Sequence, residues 1–149
     1  MLLKEICTPE VAQCPAETSV LAAARLMRQR HVGDLVVTDS TDDRQRPIGL
    51  VTDRDIVIEV LAEERDPAQV AVRSIMRTPV VLARASEDLS EAIERMTTHG
   101  VRRVPVVDEH ERLVGILTLD DVLTQFAGAA EAIAEVISRG QNREHRLRR

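Results

Sequence analysis

The 149-residue sequence has no tryptophan, no tyrosine and a single phenylalanine, Phe126. Without rings on which bases could stack, a platform for single-stranded nucleic acid is not expected, and any core must be aliphatic. Cysteine is nearly as scarce. Cys7 and Cys14 are too few and too isolated for a disulfide framework or a zinc site. No run of about 18 apolar residues occurs, and the start, Met1-Leu2-Leu3-Lys4-Glu5, lacks the apolar centre of a secretory signal. A cytoplasmic location, with no membrane contact, is the default expectation. Also absent are Gly-x-Gly-x-x-Gly, Gly-x-x-x-x-Gly-Lys-Ser/Thr, Gly-x-Ser-x-Gly and His-Glu-x-x-His. His31, His99, His110 and His145 form no ligand-spaced cluster, so neither enzymatic activity nor a bound metal is expected.

Hydrophobic residues make up 44% of the chain, enough to bury a core in one compact domain. The net charge of -5 is unevenly spread: Arg139, Arg143, Arg146, Arg148 and Arg149 against Glu144 make the end +4 and leave -9 on the rest. A solvated terminus accounts for such an end, and an acidic partner or nucleic acid is the alternative.

One stretch occurs twice. Ile48-Gly49-Leu50-Val51-Thr52-Asp53-Arg54-Asp55 returns as Val114-Gly115-Ile116-Leu117-Thr118-Leu119-Asp120-Asp121. Upstream, a shift of 69 positions superposes Ile6 on Ile75, Cys7 on Met76, Cys14 on Ala83, Ala23 on Ala92, Met27 on Met96 and Val37 on Val106. From the glycine onward the shift is 66, so the first copy has a connection three residues longer, placed in the polar stretch Ser40 to Pro47. Two copies are too few for an open solenoid, and a closed pair burying each other's apolar faces is expected.

Each copy reads strand, helix, strand, strand, helix. The first helices carry apolar residues at i, i+3, i+4 and i+7: Val20, Ala23, Ala24 and Met27, then Leu89, Ala92, Ile93 and Met96. Ser19 and Asp88 stand at their N-caps. Gly100 ends the second helix and His31 holds the matching place, so His31 is expected to adopt a positive φ as a cap, with a functional histidine as the alternative. Pro105 lacks an amide donor and should lie at a sheet edge or among the first residues of its strand. The last helix should begin after Thr118 and run to about Ile137, with Gly128 the weak point. The expected domains are 1-66, 67-138 and a basic, flexible tail at 139-149.

The repeated order, with Gly-Val-Arg-Arg-Val-Pro-Val-Val-Asp at 100 to 108, Leu-Val-Gly-Ile-Leu-Thr-Leu-Asp-Asp at 113 to 121 and Gly-Leu-Val-Thr-Asp-Arg-Asp at 49 to 55, resembles a tandem pair of cystathionine β-synthase (CBS) domains. The resemblance runs from about Leu3 to Ala127. It implies a stand-alone Bateman-type regulatory module of the mixed α/β class: two βαββα repeats about a pseudo-twofold axis, commonly paired again into a homodimer. In that family the cleft between repeats takes adenosine-containing ligands such as AMP, ADP, ATP, NAD or S-adenosylmethionine.

The motif has a physical reading of its own. A threonine at a helix N-cap sets its hydroxyl beside unpaired amides and the positive helix end, which suits a phosphate. An aspartate three residues later can accept bonds from the two hydroxyls of a ribose. Thr52 with Asp55 and Thr118 with Asp121 are therefore candidate ligand contacts, and the resemblance assigns them the same roles. Thr-x-x-Asp is equally a variant capping box that stabilises a helix start and binds nothing. Arg102 and Arg103 lie where the family commonly places phosphate contacts, with surface solvation as the alternative. The first copy has Gly33 and Asp34 there, and Arg54 is its nearest compensating charge. An anionic nucleotide is thus expected to favour the second motif.

Two functions follow: a sensor that binds an adenine nucleotide or related adenosyl ligand, requires no other cofactor and signals to a protein partner, or a ligand-free dimerisation scaffold. Apolar residues on more than one helix face, at Ile56, Val57, Val60 and Leu61, lead to the expectation of a homodimer.

Overall fold

The computed structural model describes residues 1-41 and 43-147, with the side chains of 142 and 144-147 outside that description. The first copy comprises α1 (Leu3–Ile6), β1 (Gln13–Pro15), α2 (Val20–Arg30), β2 (Asp34–Thr38), β3 (Pro47–Thr52) and α3 (Asp53–Ile56), which continues as one π-helical turn, Val57–Leu61. In the second, a 3₁₀ turn (Val72–Ser74) precedes β4 (Ala83–Arg84), α4 (Leu89–His99), β5 (Arg103–Val107), β6 (Leu113–Thr118) and α5 (Leu119–Leu147). Met1–Leu117 form one compact unit, and the segment from Thr118 onward forms another.

Each copy builds a three-stranded sheet, β1-β2-β3 and β4-β5-β6. β1 runs parallel to β2 and β2 antiparallel to β3, with Asp34 opposite Thr52. β4 runs parallel to β5. Several matching positions are buried alike. Ala23 and Ala92 are fully buried, as are Leu35 and Val104, Val37 and Val106, and Val51 and Leu117. Cys14, like Ala83, is a small buried residue in its strand.

The lead-in of each copy packs on the other copy. Thr8 and Ile116 exchange two backbone hydrogen bonds of 2.9 Å, and Arg77 and Leu50 do the same at 2.7 and 3.2 Å. Val70, Val72 and Ile75, which precede the second copy's strands, sit in the first copy's core beside Val20, Leu35 and Val51. This exchange explains the repeated glycine. A Cβ on Gly115 would stand 2.5 Å from Cys7 Sγ, and one on Gly49 would stand 2.7 Å from Met76 Sδ. The glycines are there for close approach of the crossing chain.

His31 takes φ 55° and ψ 43°, matching Gly100 at 62° and 33°. Beyond each, Val32 N–H donates to Met27 O at 3.1 Å and Val101 N–H to Met96 O at 3.0 Å, so both helices end in the same left-handed turn.

Pro105 departs from expectation, since it lies in the middle of β5, the central strand of its sheet. The matching Val36 donates its amide to Ala12 O at 3.0 Å, and β1 pairs with β2 over three residues. Pro105 has no amide to donate, and β4 pairs only at Val106 and Val107. A central strand tolerates the proline because its neighbour stops short of it.

The last helices differ most. After α3, Glu64 adopts φ 54°, Arg65 N–H donates to Val60 O at 3.0 Å, and Pro67 follows. No such stop occurs in α5, which is continuous through Gly128 and extends past Ile137 to Leu147. Arg148 and Arg149 lie outside the described residues.

Candidate functional site

Thr52 ends β3 and caps α3. Its Oγ1 accepts from Asp55 N–H at 3.1 Å, while Asp55 Oδ2 accepts from Thr52 N–H at 2.9 Å. Thr118 ends β6 and opens α5 in the same way: Oγ1 accepts from Asp121 N–H at 3.2 Å, and Asp121 Oδ2 accepts from Thr118 N–H at 2.8 Å. Both motifs are thus reciprocal capping boxes. A helix start of this kind turns a threonine and a carboxylate toward the end of a strand, where a ligand could meet them.

Their remaining atoms are used differently. Asp55 is 7% exposed, and its second oxygen accepts from Arg77 Nε at 3.1 Å and Nη2 at 3.0 Å. Both of its oxygens are committed. Asp121 is half-buried, and Thr118 Oγ1 donates a second bond to the same Oδ2 at 2.7 Å. Its Oδ1 has no hydrogen-bond partner among the described residues.

The arginines also part company. Arg102 is exposed in the turn before β5. Arg103, the first residue of β5, ion-pairs with Asp34, the residue at its own position in the other copy and the register partner of Thr52. Arg103 therefore reaches across to the first motif's strand end. Burial pushes the Asp34 carboxyl above its ordinary range, the Arg103 charge opposes this, and Asp53 adds to it. Arg54 is exposed in the first turn of α3, its N–H donating to Asp53 Oδ1 at 2.8 Å. An open cavity of about 620 Å³ nearby is lined by Met27, His31, Gly33, Asp53 and Ile56 rather than by Thr52 or Asp55.

Sequence reasoning did not identify Arg77 or Asp34 as partners. Arg77 was hidden because the exchange of lead-ins brings it to the opposite copy. Asp34 and Arg103 did carry a signal, opposite charges at equivalent positions of a duplicated unit, where a pseudo-twofold axis can bring them together. Among the described residues, no group of three or more His, Cys, Asp or Glu could hold a metal, and no helix is long and apolar enough to cross a membrane.

The duplicated sheets, exchanged lead-ins and paired strand-to-helix boxes agree with the CBS domain family model, which matches residues 3-62 and 72-128. The chain belongs to the CBS domain family. Hypoxic response protein 1 of Mycobacterium tuberculosis is 41% identical over 110 residues, covering 73% of this chain and 74% of that protein. Uncharacterized protein MK0525 of Methanopyrus kandleri is 38% identical over 109 residues, 73% of this chain but 54% of that protein, so the chain spans about half of that relative's length. Among solved structures, the CBS domain pair of protein MJ0100 in complex with 5-methylthioadenosine and S-adenosyl-L-methionine superposes with a TM-score of 0.73. That match has 26% identity and covers 87% of this chain and 98% of the other.

Proposed function

We propose that this CBS pair is a non-enzymatic regulatory module that binds an adenosine-containing ligand at its second Thr-x-x-Asp motif and signals occupancy to a partner protein. The carrying observation is the difference between the carboxylates: Asp121 keeps one oxygen for a ribose, whereas Asp55 gives both to internal bonds. Arg102 is exposed, whereas Arg103 is engaged by Asp34. The solved CBS pair carrying two adenosyl ligands supports the ligand class. AMP, ADP, ATP, NAD and S-adenosylmethionine remain the candidates.

A thermal-shift panel of these compounds tests the reading, because a ligand at 100 times its Kd adds about 2.7 kcal/mol of stability. At least one should raise the melting temperature, and Asp121→Ala should diminish the rise. The ion pairs that occupy Asp55 and Arg103 favour a second reading, a ligand-free interaction scaffold. The absence of any shift across the panel, with the protein folded by circular dichroism, would select it.

A further inference from the structure

The corners where each lead-in meets the opposite copy share a backbone but not a charge pattern. Arg73 N–H donates to Ala16 O at 2.9 Å and Ala16 N–H to Thr38 O at 3.3 Å. In the other corner Lys4 N–H donates to Ala85 O at 3.1 Å and Ala85 N–H to Val107 O at 2.9 Å. The shift of 69 positions superposes each of these residues on its counterpart. The first corner carries its own anion, because Arg73 Nε donates to Glu17 Oε1 at 2.7 Å. In the second, Lys4 stands for Arg73, Ser86 for Glu17 and Arg84 for Pro15. A carboxylate has been lost and a cation gained.

The second corner holds a cavity of about 330 Å³, lined by Lys4, Arg84, Ser86 and His110 together with Asp108 and Glu109. That volume falls within the range of small-molecule sites. Neither Lys4 nor Arg84 has a side-chain hydrogen bond or ion pair among the described residues. Asp108 turns its Oδ1 to its own loop, accepting from His110 N–H at 2.8 Å and Arg112 N–H at 2.9 Å, and Glu109 ion-pairs with neither cation. Two cations and a hydroxyl thus line a space whose counterpart in the other copy is occupied by a glutamate side chain.

We propose that this cavity binds a small organic acid through its carboxylate, which takes the place that Glu17 fills beside Arg73. Lys4 and Arg84 supply charge-assisted donors and Ser86 a neutral one. Asp108 and Glu109 limit the charge that the cavity accepts: a polyphosphate would meet two carboxylates, whereas a single carboxylate is matched by the two cations. The cavity lies at the Val107 end of β5, and Arg103 begins that strand at its other end, so the proposal does not rest on the adenosyl-ligand reading.

The full chain, labelled with nitrogen-15, is titrated with sodium butyrate, with sodium phosphate and with sodium chloride at matched ionic strength, and amide shifts are followed by NMR. Butyrate should move the amides of Lys4, Arg84, Ala85 and Ser86 saturably, and chloride should not. Lys4→Met should weaken butyrate binding about tenfold. Ser86→Glu restores the internal carboxylate of the first corner and should abolish the saturable shifts, with the rest of the spectrum retained. Saturation by phosphate and not by butyrate would overturn the carboxylate assignment. Shifts of equal size with chloride, no saturable shift with any salt, or butyrate binding unchanged in both variants would overturn the site.

Discussion

In the first copy Asp55 is buried, bonded through one oxygen to the N–H of Thr52 and through the other to Arg77, and its helix ends within three turns. In the second copy Asp121 is half-buried with one oxygen left over, and its helix runs on to Leu147. Much of the core is nevertheless shared, down to Met27 and Met96, each 6% exposed, although Val60 is fully buried where its counterpart Phe126 is 60% exposed. Duplication has kept the packing and divided the roles: the first motif is a structural lock between crossing segments, and the second retains spare polar capacity. Burial explains the division, because a carboxylate removed from water must be paired, and one that keeps contact with water need not be.

The largest expected effects come from the crossing points. Gly115→Ala forces a methyl group against Cys7 Sγ and to within 3.1 Å of Thr8 O, and should lower unfolding free energy by about 2-3 kcal/mol in urea denaturation. Gly49→Ala should cost less, about 1-2 kcal/mol, since beside the same 3.1 Å approach to a backbone carbonyl, Arg77 O, it meets the longer and more flexible side chain of Met76. Equal costs would mean that the two crossings are equally rigid.

Next come the two aspartates, for which stability and affinity should move in opposite order. Asp55→Ala removes a cap and a charge-assisted bond pair and should cost about 2-3 kcal/mol of stability with a small effect on ligand binding. Asp121→Ala should cost about 1 kcal/mol of stability and weaken adenosyl-ligand binding about tenfold or more by titration calorimetry. Loss of binding in Asp55→Ala alone would reverse the assignment of the sites.

The two helix ends offer a finer comparison. His31→Gly should raise stability by about 1 kcal/mol by removing a side chain from the left-handed region, and Gly100→Ala should lower it by a similar amount. Thermal denaturation of both variants checks this, and a destabilised His31→Gly would show that the imidazole has a role beyond capping.

The smallest effects are those of pH. Asp39 and Asp108, matched across the copies, are both held below the usual carboxylate range, Asp39 chiefly by the Thr41 hydroxyl and Asp108 chiefly by the Arg112 N–H. A depressed folded value means that each contributes stability above its ordinary value of 3.8, and that this is lost as pH falls below it. Asp34 has the opposite sign. Its raised folded value favours the protonated form, so stability falls as pH rises from 3.8 through that value. Carboxyl-resolved NMR titration should give Asp34 the highest midpoint of the three, and Asp34→Asn should remove its part of the pH dependence.

The duplication, the order of elements, the shared core positions, the caps at Ser19 and Asp88 and the left-handed His31 are all legible in the sequence. Each depends on residues close together in the chain or on a repeat that can be laid over itself. Thr-x-x-Asp was legible as chemistry but ambiguous as to role, because a capping box and a ribose contact require the same residue types at the same spacing. Tertiary structure alone shows that Asp55 also bonds Arg77, which arrives from the opposite copy's lead-in. It also pairs Arg103 with Asp34, and places Pro105 in a central strand whose neighbour stops before reaching it. Local patterning specifies periodicity and caps. Which side chains share a buried charge depends on the crossing of segments 22 and 69 residues apart, and that crossing is set by the packing of two sheets rather than by any neighbouring residue.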